Sequence, residues 1–103
     1  MKYIVNTTFI ISPELHDKWY GHIIKELLPI LKLDNEHKNI VFTRIMSQEG
    51  EQHLTYSIQI YIDDVKQYKV IRDKYIAEYK NSASKLLGTE IMYFISVMRI
   101  LKA

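Results

Sequence analysis

Leu54-Thr55-Tyr56-Ser57-Ile58-Gln59-Ile60-Tyr61-Ile62 alternates without a break. Leu54, Tyr56, Ile58, Ile60 and Ile62 point one way; Thr55, Ser57, Gln59 and Tyr61 point the other. Strict period two in β-branched and aromatic residues is the signature of a half-buried strand. The apolar side must be covered. The other side is wettable but uncharged, and that sets it apart from an ordinary solvated face.

Working outward, Ile40 to Ser47 also alternates, with Ile40, Phe42, Arg44 and Met46 against Val41, Thr43, Ile45 and Ser47. Gln48 to His53 holds Gly50 among charged residues and reads as a hairpin connection, so these two strands are expected to pair antiparallel. Downstream, Asp63 and Asp64 suit the start of a helix. The pattern predicts that helix from about Asp64 to Lys80, with Val65, Tyr68, Ile71, Tyr75, Ile76 and Tyr79 inward. A tyrosine stripe of this kind is expected to be core packing with hydroxyls reaching the edge. Asn81 to Thr89 is Ser/Asn-rich, and Gly88 stops any helical turn there. Glu90 to Leu101 reads as a final strand, apolar on both sides and so expected to be covered on both.

The chain opens with a strand, Tyr3 to Ile11. Ser12-Pro13-Glu14 follows as a helix start, with Ser12 as a capping residue and Pro13 at the first helical position. That helix is predicted to run to about Lys32, with Leu15, Trp19, Ile23, Leu27 and Ile30 on its apolar side and Pro29 loosening its last turn. Ile24 and Leu28 lie at the margin of the stripe. Leu33 to Asn39 reads as a polar loop.

The element order is β-α-β-β-α-β, the ferredoxin-like arrangement. Right-handed crossovers place both helices on one face of a four-stranded antiparallel sheet, with strands one and three central. The fold class is therefore α+β, and residues 1–103 are expected to form a single domain. Net charge is only +2, from 14 basic and 12 acidic residues interleaved along the chain, which is no nucleic-acid footprint. There is no cysteine, so disulfides and thiolate chemistry are excluded. No signal peptide is read at the start, and the apolar run from Ile91 to Met98 is too short to span a bilayer. A cytoplasmic protein with no membrane partner is the expectation.

One sheet face has no helix to cover it. Thr55, Ser57, Gln59 and Tyr61 are assigned to it, with Ile4 or its neighbours from the first strand and Tyr93, Ile95 and Val97 from the last. Arg99 and Asn6 are candidates to join them. Such a surface is too apolar to stay wet. A second copy is expected to cover it, giving a homodimeric α+β barrel with a semi-polar interior that could hold a small ligand.

Signatures of catalysis are missing: there is no Gly-rich phosphate loop and no His-Glu-x-x-His. His22 and Glu26 stand at helical i, i+4 spacing, but two ligands do not make a zinc site. They are expected to be a surface hydrogen-bonded pair. His37 and His53 are expected in loops. No catalytic residue, metal or cofactor is assigned. Tyr56 and Tyr61 on one strand raise the reading of base stacking on a sheet, but they point to opposite faces.

Trp19 with Pro29 ten positions on, the Thr55-Tyr56-Ser57-Ile58-Gln59 strand, and Phe94 with Ser96-Val97-Met98 resemble a small bacterial family known only as a domain of unknown function. That family is similar to dimeric α+β barrel proteins, and the resemblance covers nearly the whole chain. Leu27 stands where the family tends to have His, and Ile95 where it tends to have Arg. The resemblance implies a barrel superfamily of mixed activities, including cofactor-independent oxygenases and ligand sensors, so fold does not set function. The expected function is a non-enzymatic homodimeric module that binds a small ligand or a protein partner. The alternatives are a cofactor-independent monooxygenase or isomerase, disfavoured by a Trp19 expected in the core, and an RNA-binding sheet.

Overall fold

The structure, a computed structural model, describes residues 2–34, 39–46 and 53–102. The strands are β1 (Tyr3–Ile11), β2 (Ile40–Arg44), β3 (Leu54–Ile62) and β4 (Met92–Arg99). They form one antiparallel sheet in the order β2-β3-β1-β4, so the first and third strands are central as the crossover rule requires. The hairpin expected at Gln48 to His53 and most of the Leu33 to Asn39 loop lie outside the described residues.

The first helix spans residues 13–34. It begins as a 3-10 turn, Pro13–Leu15, and continues as α-helix over His16–His22. Ser12 makes no side-chain cap bond; its carbonyl instead accepts the Leu15 N–H at 3.1 Å. A π turn, Ile23–Leu27, precedes a last α segment, Leu28–Asp34. In this wide turn the Leu28 N–H donates to the Ile23 carbonyl five residues back. Pro29 explains its place. Proline has no N–H for the Lys25 carbonyl and its ring would strike that oxygen in α geometry, and a wide turn relieves both.

The extra residue in the π turn also rotates everything after it. Regular spacing puts Ile30 on the apolar side, yet Ile30 is 47% exposed and Leu31 is fully buried. Trp19, Ile23, Leu27, Leu28 and Leu31 form the buried stripe instead. Of the two marginal residues, Leu28 goes into the core and Ile24 out to solvent.

The second helix spans residues 66–87, seven residues beyond the predicted end. Its start is a reciprocal cap: the Asp64 carboxylate accepts the Lys66 N–H at 2.9 Å, and Gln67 Oε1 accepts the Asp64 N–H at 3.3 Å. A π turn, Ile71–Ile76, brings Ile76, Tyr79 and Ala83 into line with Ile71 and Tyr75 on the buried side. Helix stops only at Gly88, whose φ of 72° is the left-handed C-cap conformation that glycine adopts without a Cβ penalty. The Ser/Asn-rich composition of 81–87 lowers propensity, but packing through Ala83 outweighs it.

Between helices and sheet lies the core. Val5, Phe9 and Ile11 of β1 and Ile58, Ile60 and Ile62 of β3 meet Trp19, Leu31, Ile71 and Ile76 there. Trp19 is wholly buried, as expected, and its indole N–H donates to the Tyr79 hydroxyl at 2.8 Å.

Candidate functional site

The sheet register decides which residues share the open face. Residues directly opposite in antiparallel strands point to the same side. Val5 and Phe9 are core, and they pair with Val97 and Tyr93; Thr7, also buried, pairs with Ile95. Tyr93, Ile95 and Val97 therefore belong to the helix side, and Tyr93 and Ile95 pack on the core. Arg99 pairs with Tyr3 on that same side. These four residues do not join Thr55, Ser57, Gln59 and Tyr61. Both sides of β4 are apolar, so its own pattern could not choose between them, and register chose.

The residues of β4 on the open face are Met92, Phe94, Ser96 and Met98, opposite Ile10, Thr8, Asn6 and Ile4. Across β3 the same rows continue through Thr55, Ser57, Gln59 and Tyr61, and Thr43 and Val41 of β2 pair with Ser57 and Gln59. Ile45, whose N–H donates to the Thr55 carbonyl at 2.9 Å, extends the side. No Lys, Arg, Asp or Glu stands among the strand residues paired on this face; Lys2, whose carbonyl accepts the Ile100 N–H at 2.8 Å, continues β1 at one end of it.

The rows are ordered by polarity. One outer row is Met98, Ile4 and Tyr61; the other is Met92, Ile10 and Thr55, with Ile45 beside it. The two inner rows carry Ser96, Asn6 and Gln59, then Thr8, Ser57 and Thr43, with Val41 and Phe94 at opposite corners. Phe94 and Met92 are each 60% exposed. Thr43 and Ser57 hydroxyls bond to each other at 2.7 Å, and Asn6 Nδ2 donates to Thr8 Oγ1 at 3.1 Å. Asn6 Oδ1 is shut off from solvent and has no partner. Thr55 and Ser57 are themselves buried beneath longer neighbours.

A second polar cluster lies on the opposite side of the molecule, between the helices. His22 Nδ1 is 2.8 Å from Glu26 Oε2, and His22 Nε2 is 3.3 Å from Ser82 Oγ. The His22–Glu26 pair was expected at the surface, but the imidazole is buried and only the carboxylate is exposed. They border a cavity of about 80 Å³ that Tyr75, Glu78 and Tyr79 also line. The order Ser-His-Glu is that of a hydrolytic relay. Its chemistry is incomplete: Ser82 donates to the Glu78 carbonyl at 3.0 Å from within a helix, where the neighbouring N–H groups are already bonded and none can hold an oxyanion. The cluster is an interhelical clasp. His53 is exposed, and His37 is outside the described residues. Among the described residues no three His, Asp or Glu side chains are placed to hold a metal ion. No helix among them is long and apolar enough to cross a membrane.

Solved structures of the same fold are similar over nearly the whole chain. A dimeric ferredoxin-like protein from an uncultured marine organism superposes with a TM-score of 0.67 at 12% identity, covering 100% of this chain and 99% of its own. An ethyl tert-butyl ether D (EthD) family protein from Bacillus halodurans gives 0.61 at 15% identity, over 93% of this chain and 97% of its own. A de novo designed protein with a ferredoxin fold gives 0.60 at 12% identity, over 100% and 90%. At these identities the likeness is one of fold. No curated protein matches. Residues 2–101 match the family model described as Domain of unknown function (DUF4286), and the chain belongs to that family.

Proposed function

We propose that the chain works as a homodimer in which two open sheet faces meet to form an α+β barrel, and that this barrel is a non-enzymatic module binding a small ligand or a protein partner. The observation that carries the reading is a sheet face whose strand-paired residues carry no charge and whose outer rows are mostly apolar. Covering Phe94, Met92 or Met98 stabilises by roughly 1.5–3 kcal/mol each relative to full exposure. The molecule measures 37 × 30 Å across and 17 Å through. That broad face offers on the order of the 800 Å² per partner typical of a stable interface.

The pattern of rows is also self-complementary. A two-fold axis between the sheets, whether along the strands or across them, sets outer rows on outer rows and inner rows on inner rows. Apolar rims then meet apolar rims, and small uncharged polar groups meet their like with no like-charge cost. Support for binding over catalysis comes from the same composition: among the described residues, those paired in the strands bring no carboxylate, imidazole or amine to the face. Light scattering on the purified protein tests the reading. Twice the chain mass is expected, falling to one chain mass in Phe94→Glu. A wild-type protein that stays at one chain mass at micromolar concentration overturns it.

A further inference from the structure

Under the first helix, away from the open face, three side chains form a relay. His16 Nδ1 lies 3.0 Å from Asp17 Oδ1, and His16 Nε2 lies 2.7 Å from the Tyr56 hydroxyl. The carboxylate holds the ring proton on Nδ1, which leaves Nε2 to accept the phenolic O–H. The imidazole stacks on the phenol with centroids 5.5 Å apart. Tyr56 is only 6% exposed, so no substrate atom can be set against its oxygen.

An electron needs no such contact, because it leaves by tunnelling. A phenol losing an electron becomes strongly acidic, and its oxidation is eased when a base stands ready for the proton. Tyr56 has that base. It also has a path: Tyr20, 40% exposed, lies 6.1 Å away between ring centroids, and Trp19 lies 5.2 Å away on the inner side.

We infer that Tyr56 is a redox-active tyrosine coupled to proton transfer to His16. A high-potential one-electron oxidant of the metal-complex or radical class takes one electron by way of Tyr20, and the phenolic proton moves to His16 Nε2. The products are a neutral tyrosyl radical, the reduced oxidant and an imidazolium held against Asp17. A one-electron reductant reverses both transfers. Tyr79, next along the ring path, is no resting place for the hole. Its oxygen already accepts the Trp19 N–H, and burial pushes its pKa up so that it keeps its proton. The inference is independent of how the sheets pair.

Photo-oxidation of the whole protein with ruthenium(III) tris-bipyridine, followed by freezing and electron paramagnetic resonance, tests it. A tyrosyl radical signal is expected that Tyr56→Phe largely removes. His16→Phe is expected to slow its formation by about a hundredfold. Tyr75→Phe is the control, since Tyr75 also has a base, donating to Asp34 Oδ2 at 2.7 Å; it leaves the signal in place. Circular dichroism checks that Tyr56→Phe folds. Wild-type protein carrying ring-fluorinated tyrosine at position 56 assigns the radical by its fluorine hyperfine splitting without altering the core. Absence of that splitting, or an unchanged signal in folded Tyr56→Phe, overturns the inference.

Discussion

Phe94 and Ile95 are consecutive in β4 and look out of opposite sides of the sheet. Phe94 is 60% exposed on the open face, and Ile95 packs half-buried on the helix-side core. Charge at each position should therefore fail in a different way. Phe94→Glu is expected to halve the mass seen by light scattering while the monomer stays folded. Ile95→Asp is expected to lower folding stability by about 2 kcal/mol, read from urea denaturation, because a carboxylate replaces apolar contact. If the two variants behave alike, the face assignment is wrong.

Asn6 offers a test of the inner rows. Its Oδ1 has lost water and gained no partner within one chain, and such a group costs about 1–3 kcal/mol. Asn6→Val in a Phe94→Glu background should raise the stability of the isolated chain by about 1 kcal/mol, since valine also suits a central strand. In the wild-type background the same change should weaken dimerisation, if the partner's inner row supplies the missing donor. Denaturant midpoints and dilution series measure the two effects separately.

The π turn of the first helix can be checked by neighbouring substitutions. Leu31 is fully buried and Ile30 is 47% exposed. Leu31→Ala should cost about 2–5 kcal/mol, and Ile30→Ala less than about 1 kcal/mol. Regular α-helical phasing predicts the reverse order, so the comparison needs only two denaturation curves.

Tyr79 makes stability depend on alkaline pH. Burial raises its pKa above the ordinary tyrosine value, against a smaller lowering by the Trp19 bond. Below about pH 10 both folded and unfolded chains keep the proton and the contribution is complete. Above that, the unfolded chain ionises while the folded chain does not, so stability falls as pH rises. The denaturation midpoint should start to drop as pH rises past about 10 and keep falling above it, and Tyr79→Phe should flatten that slope. The variant also leaves the Trp19 N–H unpaired, at a cost of about 1–3 kcal/mol at neutral pH.

Period two in Leu54–Ile62 was enough to place β3, and the element order was enough to place it beside β1 and β2. Half of the open face was legible for the same reason, because Thr55, Ser57, Gln59 and Tyr61 differ sharply from the isoleucines between them. The half on β4 was not. Tyr93, Ile95 and Val97 are as apolar as Met92, Phe94 and Met98, and only pairing with Val5, Thr7 and Phe9 separates the two sets. A hint was present: Ser96 and the two methionines mark the less β-branched side. Ile30 was misplaced because a widened turn shifts helical phase without leaving any mark in the pattern except Pro29. The extension of the second helix to Leu87 was hidden by Ser and Asn, whose weak propensity was overruled by contacts distant in sequence.

A widened turn is a regular helix carrying one residue too many, and each helix here has one. Deleting a residue from a helix normally swings every later side chain about 100° around the axis. Removing one residue from Ile23–Leu27, with Pro29 replaced so that ordinary winding is admitted, would instead leave Leu31 and every later side chain where they now stand. A single-residue deletion at either turn is thus expected to keep this architecture, whereas one elsewhere in the same helices would turn the buried stripe toward solvent.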